Sequence, residues 1–173
     1  MCVAFFVGRA MLQRMMNVRN AKPQDFDSVD GLLRRVYPKL LKEDYAPSIR
    51  VLVLPRISRA QPRLLASGTY YVVELEDQIV GAGGWTRDRA RQGVGHIRHV
   101  VTSDRHLRRG VASQLMRHIF GAARRGGISQ MICWSTFTAE PFYAAMGFAR
   151  KGVIEVPLDA GITFPAVAME RML

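Results

Sequence analysis

Residues 100–113 read Val100-Val101-Thr102-Ser103-Asp104-Arg105-His106-Leu107-Arg108-Arg109-Gly110-Val111-Ala112-Ser113. A β-branched run gives way to a polar, strongly basic turn, and Gly110-Val111-Ala112 then opens a segment in which Val111, Leu115, Ile119, Phe120 and Ala123 recur at helical spacing. Strand, loop and helix follow from that pattern. The first backbone N–H groups of a helix have no partner within it, and the helix dipole adds partial positive charge, so an anion can bind there. The small residues Gly110 and Ala112 allow a phosphate close to the backbone, and Arg108 and Arg109 offer charge-assisted contacts. Two readings fit these residues alone: a loop that captures a pyrophosphate, and a basic surface turn with ordinary start-of-helix residues. Neither G-x-x-x-x-G-K-[ST] nor the G-x-G-x-x-G of dinucleotide folds is present.

The wider pattern is more informative. Val100-Val101-Thr102, the turn Leu107-Arg108-Arg109-Gly110-Val111-Ala112, the helix after it and the later Glu140-Pro-Phe-Tyr-Ala-Ala-Met-Gly-Phe148 together resemble the GNAT superfamily of N-acetyltransferases, over about Glu74–Phe148. The resemblance implies an α/β (α+β) fold, a mixed and mostly antiparallel sheet with a splayed central parallel strand pair, flanked by helices. It implies an N-acetyltransferase that moves an acetyl group from acetyl-coenzyme A to a primary amine by direct attack. The family loop reads Gln/Arg-x-x-Gly-x-Gly/Ala, and its amides hold the cofactor's pyrophosphate. This chain departs at the first position, Leu107, while amides of Leu107, Arg108, Arg109, Gly110, Val111, Ala112 and Ser113 remain to do the binding. Val100, Val101 and Thr102 fall on the strand along which the pantetheine arm runs. A backbone N–H near Val100 is placed to polarise the thioester carbonyl, as fixed dipoles do for oxyanions.

The same resemblance puts Tyr143 at the position of the family's acid tyrosine. A tyrosine hydroxyl has a reference pKa near 10, so it is protonated at neutral pH and can donate to the departing thiolate. The alternative is a tyrosine that rims the core with its hydroxyl in water. Phe142, Ala145, Met146 and Phe148 read as the packed face, with Tyr143 on an adjacent one. Counting back from Leu107 puts His96 where some family members carry a catalytic glutamate, and a histidine can accept the proton of an attacking amine. A structural or solvent-facing histidine with a water chain as base is the competing reading. Strand alternation places His99 on the opposite face. Thr138, like Ser135 and Thr136, can hydrogen-bond the pantetheine or adenine end of the cofactor, and capping of the following helix explains Thr138 equally well.

The chain has 173 residues, 49% hydrophobic and 23% charged, which suits one globular domain. No apolar run approaches the roughly 20 residues of a membrane span. Cys2 and Cys133 fall in an expected tail and an expected buried strand, so neither a disulfide nor a metal site is expected, and a reducing, cytoplasmic setting is. Net charge is +11, carried by 25 basic residues of which only Lys22, Lys39, Lys42 and Lys151 are lysine. Such charge fits a nucleic-acid-binding module on the same fold, steering of a polyphosphate cofactor, or a compositional preference for arginine. No aromatic-basic RNA pattern or helix-turn-helix pattern supports the first. A longer acyl-coenzyme A is a further alternative, and the acceptor is a small-molecule or peptide amine. Two-fold dimers are the common default for oligomeric state.

Residues 1–15 are expected to form a dispensable extension and 16–173 the acetyltransferase domain, opening on a short strand, Asn17–Arg19. Phe26, Val29, Leu32, Leu33 and Val36 predict a helix started near Asp25 and interrupted at Pro38. A second helical region covers Ala46–Ala66, broken around Pro55 and Pro62, on the acceptor side. Thr69–Glu76 and Ile79–Thr86 predict a hairpin turning at Asp77-Gln78, with Trp85 at the border of the acceptor cleft or in plain packing, and 87–93 an exposed loop. A strand over Gly95–Thr102 feeds the opening motif, whose helix stops at Gly126-Gly127. Strands over Ile128–Thr136, Ala149–Val156 and Ile162–Arg171 follow, with a short helix ending at Gly147.

Overall fold

The computed structural model describes residues 15–159 and 161–173; most of the expected N-terminal extension, 1–14, lies outside them. Among the described residues, seven strands form one sheet: β1 (Asn17–Asn20), β2 (Tyr70–Leu75), β3 (Gln78–Arg87), β4 (Val94–Thr102), β5 (Gln130–Ser135), β6 (Ala149–Pro157) and β7 (Thr163–Met172). Their order is β1-β2-β3-β4-β5-β7-β6. Only β4 and β5 run parallel; the other neighbours are antiparallel. Among the described residues, α-helices accompany the sheet: α1 (Phe26–Leu40), α2 (Pro47–Ile57), α3 (Pro62–Leu65), α4 (Val111–Arg125) and α5 (Glu140–Ala145).

Helices cover both faces, which is why β2 is apolar on both. Tyr71, Val73 and Leu75 join the core built on α4, whereas Tyr70 and Val72 join the one built on α1. The α4 stripe read from the sequence, Val111, Leu115, Ile119, Phe120 and Ala123, is buried throughout. At about 1.5–3 kcal/mol for each large aliphatic side chain removed from water, that stripe fixes the start of α4 against the sheet.

Three local expectations change. The first helix does not stop before Pro38: α1 runs through it to Leu40. The missing N–H falls in the last turn, and Leu41, 1% exposed, docks just beyond it with its amide on the Tyr37 carbonyl at 3.0 Å. Asp25 does not cap α1 with its side chain; its carboxylate accepts from Arg19 and, across the 3-10 turn Pro23–Asp25, from the Lys22 amide. The β2–β3 turn is made by Glu76 and Asp77, both at positive φ (50° and 58°), one residue earlier than read from Asp77-Gln78. No helix among the described residues is long and apolar enough to cross a membrane.

Candidate functional site

The site begins where two parallel strands part. β4 and β5 pair only at Val94–Gln130, Gly95–Met131 and His96–Ile132. From Ile97 onward the β5-facing edge of β4 has no strand partner, and its backbone groups are free for an extended ligand. On the other edge, two residues of β4, His99 and Val100, face the single residue Gly83 of β3, between the pairs Gly84–Arg98 and Ala82–Val101. This bulge bends β4 away from β5. His99 sits at its apex with φ 43°, held by the Tyr70 hydroxyl, which donates to the His99 carbonyl at 3.2 Å. The parted strands enclose a cleft of about 340 Å³, lined at its centre by Ile97, Val100, Cys133, Ser135 and Tyr143.

The basic loop lies at the end of β4. Among the described residues, the amides of Leu107 through Ser113 meet no hydrogen-bond acceptor, and the first to do so is Gln114, on the Gly110 carbonyl at 2.9 Å. Gly110 occupies the N-cap position at φ 88° without a capping side chain, a conformation that favours glycine. Arg108 is also left-handed, at φ 59°. A run of alternating backbone signs with free N–H groups is the geometry of an anion-binding nest, here at the start of a 15-residue helix. The loop is held from behind. The Ser103 amide donates to Val80 at 2.8 Å, and Asp104 pairs with both Lys39 and Arg35 of α1. Lys39 first, then Arg35, hold the Asp104 carboxyl down at about 2. Leu107, Arg108 and Arg109 are exposed, Gly110, Ala112 and Ser113 half-buried, and Val111 buried in the core. Upstream, Val100 lines the cleft, Val101 is packed among the residues beneath α1, and the Thr102 hydroxyl is buried without a partner.

Tyr143 is the buried residue of α5, at 6% exposure, while Ala145 is exposed and Phe142 and Met146 are half-buried. The expected packed face is therefore turned: Tyr143 goes inward, with its ring edge-on to Phe142 and Phe148. Its hydroxyl neighbours the Cys133 thiol, and both residues line the cleft. Burial, then the neighbouring Cys133, push the Tyr143 hydroxyl well above the ordinary tyrosine value, and burial pushes the Cys133 thiol up to about 12. Both stay protonated at neutral pH.

His96 lines the cleft from β4. Its Nε2 lies 2.7 Å from Oδ2 of Asp88, and its ring stands edge-on to Trp134 across the gap, at 5.8 Å between centroids. In the neutral ring Nε2–H donates to Asp88, so Nδ1 is the unprotonated nitrogen. His96 first, then Arg91, hold the Asp88 carboxyl well below the usual range. His99 lines the same cleft as His96, contrary to the alternation rule, because the bulge intervenes between them. Burial, helped by Arg98, pushes His99 down to about 4.

Other expectations land elsewhere. Thr138 does not line the cleft: its hydroxyl is committed to the Leu40 carbonyl at 2.8 Å and to Asp44. The cap at that turn is Thr136, whose side chain accepts from the Ala139 amide. Trp85 is 4% exposed, against Gly126 in the core, and stands outside the cleft. Asp88, inside the stretch read as an exposed loop, is half-buried and part of the site.

The comparisons with known proteins agree with this geometry. The family model "Acetyltransferase (GNAT) domain" matches residues 66–150. A curated relative, the uncharacterized N-acetyltransferase YjcF of Bacillus subtilis (strain 168), is 33% identical over 93 residues, which are 54% of this chain and 64% of the relative. The match thus spans a little under two thirds of that relative's length. Among solved structures, the PaiA N-acetyltransferase from Thermoplasma acidophilum in complex with coenzyme A is similar at TM-score 0.71 and 9% identity, over 91% of this chain and 99% of that one. A GCN5-related N-acetyltransferase from Rhodopseudomonas palustris gives TM-score 0.70 and 17% identity, over 91% and 95%. These likenesses establish the fold.

Proposed function

The chain carries a GNAT acetyltransferase domain, and from that premise we propose that it transfers an acetyl group from acetyl-coenzyme A to an amine by direct attack. The observation that carries the reading is the run of unengaged amides from Leu107 to Ser113, in the loop that follows β4, the strand whose parting from β5 opens the cleft. The diphosphate of the cofactor sits on those amides, with Arg108 and Arg109 adding charge. The pantetheine arm then runs along the unpaired edge of β4, where its own amides find backbone partners. That alignment brings the thioester carbonyl to the Val100 amide at the bulge, and such a fixed donor stabilises the developing oxyanion.

The amine enters from the side of α1 and α2. His96, with Nε2–H held by Asp88, accepts the amine's proton at Nδ1, directly or through a water. The neutral nitrogen attacks the thioester carbonyl carbon, the now positively charged nitrogen gives its second proton to water in the cleft, and the tetrahedral species collapses by breaking the C–S bond. Tyr143 donates its proton to the departing sulfur and recovers one from solvent through the cleft. Burial keeps its hydroxyl protonated at neutral pH, the form a proton donor needs. The acceptor is a small molecule or a peptide. A screen of amine acceptors with detection of the free thiol of coenzyme A tests the reading; thiol release that depends on the acceptor supports it, and none with any amine class, at saturating acetyl-coenzyme A, argues against it.

A further inference from the structure

Arg98 stands apart from the other charged groups near the cleft. It lies two residues beyond His96 on β4, lines the cleft, and donates from Nε to the Thr86 hydroxyl at 2.9 Å. No carboxylate among the described residues comes within ion-pairing distance of it. Asp88, the nearest acid in the site, is already shared by His96 and Arg91. Neither terminal nitrogen of Arg98 has a hydrogen-bond partner among the described residues, and neither is sealed from solvent. Burial lowers its pKa, with Asp88 opposing only in part, yet a guanidinium does not give up its proton at neutral pH. A partly desolvated, unpaired positive charge therefore faces the acceptor end of the cleft.

We propose that Arg98 makes the acceptor an amine that also carries a carboxylate, bound by the guanidinium fork, so that the substrate class is a small amino acid. This deepens, and rests on, the acyl-transfer reading of the same cleft. Three further features bear on it. No aspartate or glutamate is among the described residues that line the cleft, so a polyamine or a second ammonium group finds no lining carboxylate to pair with there. Same-face neighbours on a strand stand about 6.6 Å apart, which suits an amine handed to His96 while its carboxylate lies on Arg98. Ile57, Leu158 and Phe164, also in the lining, are apolar and suit the carbon frame of a small molecule. A planar fork meets a carboxylate through two parallel hydrogen bonds, which a lysine cannot reproduce.

The test compares each of the common amino acids with its own carboxamide, and with spermidine, at saturating acetyl-coenzyme A. At least one amino acid should exceed its carboxamide in kcat/KM by about 100-fold, the scale of a lost charge-assisted hydrogen-bonded pair. Arg98→Gln, whose amide nitrogen can stand where Nε bonds Thr86 while the terminal guanidinium nitrogens are removed, should collapse that ratio to near unity by raising KM for the acid, with the Kd of acetyl-coenzyme A unmoved; Arg98→Lys should recover part of it. Equal use of acids and carboxamides by the wild-type protein, preference for spermidine, or an Arg98→Gln effect that falls equally on both members of each pair overturns the proposal. Calorimetric titration with acetyl-coenzyme A separates the two levels: without binding, the acyl-transfer reading itself fails, whereas binding without acid preference removes only the assignment to Arg98.

Discussion

A Cβ atom placed on Gly83 would stand 2.8 Å from Cγ2 of Val100 and 3.0 Å from its Cα. The bulge that opens the cleft therefore depends on a residue of the neighbouring strand having no side chain. Gly83→Ala should destabilise the protein by about 1–3 kcal/mol, the usual cost of overpacking. It should also weaken acetyl-coenzyme A binding, because Val100 can yield only by flattening the bulge. Urea unfolding and cofactor titration on one preparation read both effects.

Tyr143→Phe removes the hydroxyl and keeps the ring that packs against Phe142 and Phe148. Turnover should fall by about 10²–10⁴-fold, the range of a lost general acid, with cofactor affinity nearly intact. Steady-state kinetics beside a titration decide it; wild-type turnover in the variant removes the assigned role.

Asp88→Asn keeps the shape of the Asp88–His96 contact and removes the charge. In the proposed mechanism kcat falls while KM for acetyl-coenzyme A holds, and His96→Gln falls further because the base itself is gone. Equal wild-type rates in both variants would assign the proton to water.

His99 titrates at about 4 in the fold, pushed down by burial and by Arg98, against about 6.5 in an unfolded chain. Between those values the unfolded state binds more protons than the folded one, so stability rises with pH across that window and is lost as pH falls through it. Thermal melts from pH 7 to pH 4 should show Tm dropping, and His99→Gln should flatten the slope between about 6.5 and 4. An unchanged slope in the variant would place the acid sensitivity elsewhere.

Local grammar explains what the sequence disclosed. The loop, α4 and the Tyr143 turn are each written in consecutive residues whose spacing carries the meaning, so the strand–loop–helix order and the inward stripe of α4 follow from local spacing alone. Asp88 was hidden because its partner lies across a strand pair: Thr86 opposes His96 and Arg87 opposes Gly95, and only that register brings the carboxylate back to the imidazole. His99 was put on the wrong side because alternation fails at a bulge. The run Gly81-Ala82-Gly83-Gly84 opposite it was the available clue, since such a strand tolerates a close and irregular neighbour. Thr138 and Pro38 went astray for a different reason: Leu40, Asp44 and Leu41 reach them from distant or later parts of the fold.

Gly110 holds the turn into α4 at φ 88°, and cofactor binding depends on the amides it presents. Isothermal titration of the wild-type chain with acetyl-coenzyme A, repeated with Gly110→Val, addresses this directly. The wild type should bind with a Kd on the order of micromolar and the variant at least tenfold more weakly, as the branched side chain disfavours the left-handed turn. No heat from the wild type at high micromolar protein, or equal binding by both, would contradict it.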